Sequence, residues 1–183
     1  MGDFVMRGCL AFIIILIFIS ISVCGCLDNG EVAITTPADE MILTESDFDN
    51  NWTSWWTSTE VEDEIEPPII DHSFVRLRHY TSYPIEEWDR DLEMWIIINV
   101  FNSTVEADNF MKNLSEFFTQ SFDLTDIDIG DDNFQYQDGN DTFTFFRVKN
   151  AVVAMFFFHG PDGEKPDESR IIELIHLQES RIE

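Results

Sequence analysis

Apolar positions change their spacing several times along the chain, and each change predicts a different element. From Leu10 to Val23 the run LAFIIILIFISISV is apolar apart from two serines, 14 residues in all. That length fits the hydrophobic core of a secretory leader, about 7 to 15 residues, better than a full membrane span of about 20. Residues 27–40, LDNGEVAITTPADE, then carry turn formers, few large apolar side chains and no period. This predicts a flexible spacer, with order beginning near Met41.

Within residues 41–183 the pattern alternates between strand and helix spacing. Trp52, Trp55 and Trp56 lie in the strand-like stretch WWTSTEVE, where packing in the core and at a sheet edge outranks an aromatic sugar-binding platform. After Pro67-Pro68, FVRLRHYTSY from Phe74 to Tyr83 alternates Val75, Leu77, His79 and Thr81 with Arg76, Arg78 and Tyr80. DLEMWIIINVFNS, residues 91–103, is nearly continuous in apolar and β-branched content and predicts a central strand. Ser103 followed by Glu106 is a capping box, and Val105, Ala107, Phe110, Met111, Leu114, Phe117 and Phe118 form one face of a helix running to about Gln120.

Ile127 and Ile129 next alternate with aspartates before a glycine turn. TFTFFRVKNAVVAMFFFHG predicts a hairpin of runs 142–148 and 151–158 meeting at Lys149-Asn150, with Asn as the residue tolerant of positive φ. A Pro/Gly/Asp connector leads to a last helix with Ile171, Ile172, Leu174, Ile175 and Ile182 turned inward. Strands, helix, strands, helix in that order predict an α+β fold, an antiparallel β-sheet flanked by two α-helices, after an N-terminal signal or anchor segment. One domain, 41–183, is expected.

The cysteines explain how the leader ends. Cys9, Cys24 and Cys26 all lie in or beside the apolar run, and residues 27–183 contain none. A disulfide framework and a thiolate metal cage in the body are thereby excluded, and a CxC pair supplies only two of the four ligands of a structural zinc. Val23-Cys24-Gly25-Cys26 resembles the lipobox of prokaryotic lipoproteins, in which a small residue precedes a cysteine that is lipidated and becomes the new N-terminus. Cys24 departs from the commoner alanine or serine, and the CGC arrangement most resembles archaeal lipoproteins. The resemblance implies a signal peptide over 1–26 and lipidation at Cys26. An uncleaved signal anchor stays open as the alternative, because Cys9 to Leu27 is 19 residues without a charge. Either version puts the body on the outer face of the cell membrane.

Charge then narrows the partners. The chain has 36 acidic residues against 10 basic ones, and taking away Asp3 and Arg7 with residues 1–25 leaves 35 against 9, still -26. A surface so negative repels phosphate backbones, which excludes nucleic acid as a partner. It fits adaptation to high salt, cation binding or a basic partner, with plain solvation as the default.

The runs VFNSTVEADN (100–109), IGDDNFQYQ (129–137), FRVKNAVVAM (146–155) and IIELIHLQESRI (171–182) together resemble uncharacterised prokaryotic lipoprotein domains with a PsbP-like α/β/α sandwich. The resemblance covers roughly 41–183 and implies a fold and an extracytoplasmic place. No catalytic residue is carried across by it.

Candidate chemistry is sparse. The sequons at Asn51, Asn102, Asn113 and Asn140 are candidate glycan acceptors, with Asn102 and Asn140 at a strand–helix junction and a turn. Asp126, Asp128, Asp131 and Asp132 surround Gly130 without the ordered ligands or closing glutamate of an EF-hand, so a solvated face is expected rather than a calcium loop. His72, His79, His159 and His176 are scattered and form no HxxxH pair. Arg76 and Arg78, two apart on one strand face, are candidate anion-binding residues, against the plainer role of pairing with carboxylates. No catalytic residue, metal site or cofactor is predicted. The sequence therefore predicts a membrane-tethered, non-enzymatic domain that binds a ligand or an envelope protein. The contrasting expectation is an extracytoplasmic hydrolase built around His72 or the Asp131-Asp132 turn.

Overall fold

The computed structural model describes residues 33–48, 51–58, 68–80, 90–159 and 167–182. The predicted leader, Cys26 and the start of the predicted spacer lie outside the described residues, as do the side chains of Trp55 and Trp56 and the end of the predicted strand, residues 81–83. Among the described residues no helix is long and apolar enough to cross a membrane.

Six strands form one antiparallel sheet: β1 (Trp52–Ser58), β2 (Ile69–Tyr80), β3 (Arg90–Phe101), β4 (Asp132–Asp138), β5 (Asp141–Val148) and β6 (Ala151–His159), in the order β1-β2-β3-β6-β5-β4. Among the described residues three α-helices accompany them, α1 (Ala38–Met41), α2 (Thr104–Thr119) and α3 (Glu168–Glu179). The fold is α+β. As its apolar content predicts, β3 is central, paired with β2 on one side and β6 on the other.

Both sheet faces are buried, which explains the near-continuous apolar runs. One face presents Val75, Leu77, Met94, Ile96, Ile98, Val153, Met155 and Phe157 to α3 and to the segment before β1. The other packs Phe134, Tyr136, Phe143, Phe145 and Phe156 against Ala107, Phe110, Met111, Leu114 and Phe118 of α2. Tyr136 and Phe143 stack at 4.8 Å and 7°, and Phe134 and Phe145 at 4.8 Å and 20°. Ser103 caps α2 by accepting a hydrogen bond from the Glu106 N–H at 3.2 Å.

Four expectations are corrected. Residues 33–40 are not spacer: Ile34 and Ala38 are buried in the core with Met41 and Leu43. Two distant amides explain this by replacing water on the strap's backbone. Asn150 accepts from the Ile34 N–H at 2.6 Å and donates to the Phe101 carbonyl at 2.8 Å. Gln178 accepts from the Leu43 N–H at 3.0 Å and donates to the Met41 carbonyl at 2.9 Å. Second, the Ile127–Ile129 stretch forms no strand; the one bridge beside it joins Thr125 to Gln135, and the chain turns at Asp128, whose φ is 51°. Third, the positive φ of the β5–β6 turn falls on Lys149, at 53°, while Asn150 is spent on the strap. The Lys149 N–H is held by Asp131 Oδ2 at 2.6 Å, which stabilises the left-handed backbone there. Fourth, Phe117 and Ile172 lie at the margins of their helical stripes and are exposed.

Gly130 marks a close approach. With φ at 61°, a Cβ there would stand 2.4 Å from the Arg147 carbonyl oxygen, so only glycine fits.

Candidate functional site

The densest polar grouping lies on β2 and β3. Register sets Arg78 opposite Glu93 and Arg76 opposite Trp95, so period-two alternation puts all four on the α2-facing side of the sheet. Arg76 Nε donates to Glu93 Oε1, Trp95 Nε1 donates to the same oxygen at 2.6 Å, and Arg78 Nε donates to Oε2 at 2.9 Å. The Arg76 guanidinium also stands 5.1 Å from the Trp95 ring centroid. Glu93 and Arg78 are buried. Burial by itself would raise the Glu93 pKa; the hydrogen bonds from Arg76 and Trp95 and the two guanidinium charges outweigh it and hold the carboxyl below its ordinary value. Arg76 and Arg78 thus already grip an anion, and it is the protein's own.

A second pairing ties the sheet to α3. His79 Nδ1 lies 2.6 Å from Asp91 Oδ1, and Arg170 Nη1 donates to Asp91 Oδ2 at 3.1 Å. For Asp91, too, burial acts upward, and the contacts with His79 and Arg170 bring its pKa below the usual one. Arg170 also stands over the Trp52 ring at 5.7 Å, and that ring stacks on Phe48. The tryptophan at 52 is therefore part of the core, not an open platform.

The remaining histidines are placed as follows. His159 Nδ1 lies 2.6 Å from Asp141 Oδ1 at the far ends of β5 and β6, with Asp141 buried and His159 partly so. His72 Nδ1 lies 2.6 Å from Asn99 Oδ1 on β3. His176 is exposed on α3, 3.3 Å from Glu179. A histidine oriented by a carboxylate is half of a general-base arrangement, and the other half is a nucleophile or water within about 3 Å of the free ring nitrogen.

The acidic loop is used for turns. Asp126 Oδ1 accepts from the Asp128 N–H at 3.2 Å, Asp131 holds the Lys149 N–H and Arg147, and Asp132 is exposed at the start of β4. Among the described residues no three His, Cys, Asp or Glu side chains gather as metal ligands. Of the sequons, Asn102 and Asn140 are exposed, whereas Asn51 and Asn113 are half-buried.

Sequence reasoning identified the arginines but missed Glu93, Asp91 and Asp141. Each is one acid among many in an acidic chain, and only strand register singles it out. Comparison with protein-family models, with curated proteins and with solved structures finds no match to this chain.

Proposed function

We propose that this protein is a lipoprotein-like binding module, exported, tethered through Cys26 to the outer face of a prokaryotic and most archaeal-like membrane, and serving a ligand or neighbouring envelope protein without catalysis. The observation that carries the reading is the strap. The chain is clamped into the core by Asn150 and Gln178 from Ile34 onward, only eight residues past Cys26, which supports a body held close to its proposed point of attachment. The non-catalytic part is supported by how the ionisable groups are used. Arg76 and Arg78 are committed to Glu93, His79 and Arg170 to Asp91, His159 to Asp141, and Arg147 to Asp131, each a pairing that joins two elements of the fold or two strands of the sheet. A PsbP-like relationship stays part of the proposal on the strength of its quoted motifs and the helices on both sheet faces.

Mass spectrometry of the membrane fraction tests the tether. The expected product begins at a lipid-modified Cys26, and Cys26→Ser blocks its formation. An intact Met1 with unmodified Cys26 ends the lipoprotein version, and full-length protein free in the cytosol ends the tethered one.

A further inference from the structure

We infer that the body stands on the bilayer by its Lys149–Asn150 end, so that the opposite end, with the Gly139–Asn140 turn and the His159–Asp141 pair, points into the surrounding medium. The inference rests on the tethered reading above and adds a direction to it. Ile34 is fastened at one definite place: its N–H binds Asn150 Oδ1, and Asn150 in turn holds the carbonyl of Phe101, the last residue of β3. The same end of the sheet holds the start of β2, where Asp71 Oδ2 accepts from the Ala38 N–H at 2.7 Å. From there the strap travels along the sheet to Phe48, which stacks on Trp52 beside His79, near the opposite end of β2. The chain therefore enters the fold at the β5–β6 turn.

Reach decides the orientation. Ile34 is eight residues beyond Cys26, and eight fully extended residues span at most about 28 Å whatever their conformation. A lipid on Cys26 sits below the headgroups, which take up roughly 5 Å or more of that length and leave about 20 Å in water. Strand β6, nine residues from Ala151 to His159, is itself about 30 Å long. A body resting on its His159 end would hold Ile34 about 30 Å above the surface, beyond the tether. An uncleaved anchor ending at Leu27 gives the same limit.

The surface turned to the lipid is mostly polar and carries both signs of charge, with Lys149 exposed at the turn. Asp132 is exposed there and Asp131 is half-open beside Arg147, while Ile70 is the one large apolar side chain of that end more than half exposed among the described residues. The exposed Asn140 is carried on the outward side and Asn102 on the inward side.

Residues 27–183 lack cysteine, so a single introduced thiol is unique in the mature lipidated chain. Fluorescent labels at Lys149→Cys and Asn140→Cys, in the mature lipidated protein beginning at Cys26 and carried by vesicles containing an energy-acceptor headgroup, read the two distances. Expected is more efficient transfer from position 149 than from 140. Inserting about 20 Gly/Ser residues after Val32, which adds roughly 25 Å of r.m.s. reach, should narrow the difference. Equal or reversed transfer in protein that sediments with the vesicles overturns the orientation and leaves the tether standing. Failure to sediment overturns both.

Discussion

Glu93 is the residue on which the most polar structure depends. Three donors converge on a buried carboxylate, and removing its charge would leave Arg78 in a dry site facing Arg76 across a neutral group. Glu93→Gln keeps the shape and is expected to cost about 3–5 kcal/mol at neutral pH, read from urea unfolding. The acid limb follows from the same group. Its folded pKa lies below the ordinary 4.5, so its contribution is fully present above pH 4.5 and is lost as pH falls through the lower folded value. Asp91 behaves alike below 3.8, and Glu93→Gln should therefore flatten, though not abolish, the loss of stability in acid. Tyr136 makes the opposite case. Its hydroxyl is buried without a hydrogen-bond partner among the described residues, and burial together with the nearby Asp138 charge raises its pKa. Tyr136→Phe should leave thermal stability unchanged or raise it by about 1 kcal/mol, and a clear loss would reveal a partner for the hydroxyl. Neither residue was legible beforehand, because a lone acid in DLEMWIII and a tyrosine in NFQYQD show their neighbours only once register is known.

At the scale of elements, what was legible had a local cause. The α2 helix announces itself through Ser103, Glu106 and a periodic apolar face, and the β5–β6 hairpin through two β-rich runs around Lys149-Asn150. The strap had no such signature. Only Ile34 and Ala38 are apolar anchors before Met41, and the groups that fix its backbone lie 116 and 135 residues away. Gln178→Ala should leave two buried backbone groups of the strap unsatisfied, lowering stability by about 1–3 kcal/mol. Hydrogen exchange at the Leu43 amide should quicken more than exchange in the central strand β3; uniform acceleration would mean that strap and sheet open as one unit.

For the whole molecule, fold class was readable from the order of elements, but strand order was not. The pairing of β3 with β6 spans α2, β4 and β5, and no local pattern encodes it. Charge also acts at this scale. A net -26 repels itself in the folded state more strongly than in the expanded chain, so melting temperature should climb as sodium chloride is raised from millimolar to about 1 M, where the Debye length shrinks to about 3 Å. A melting temperature indifferent to salt would mean that the carboxylates are too widely spaced to interact.

The 135-residue separation between Leu43 and Gln178 has a consequence for biogenesis. On the tethered reading, a polypeptide crossing the membrane N-terminus first delivers the strap to the outside well before α3. Met41 and Leu43 then wait, apolar and unclamped, until Gln178 on α3 has emerged. Maturation is then a closing of the ring between the strap and α3, and anything that delays emergence of α3 from the translocation machinery prolongs the interval in which the strap is open to holdases or to the wrong neighbour.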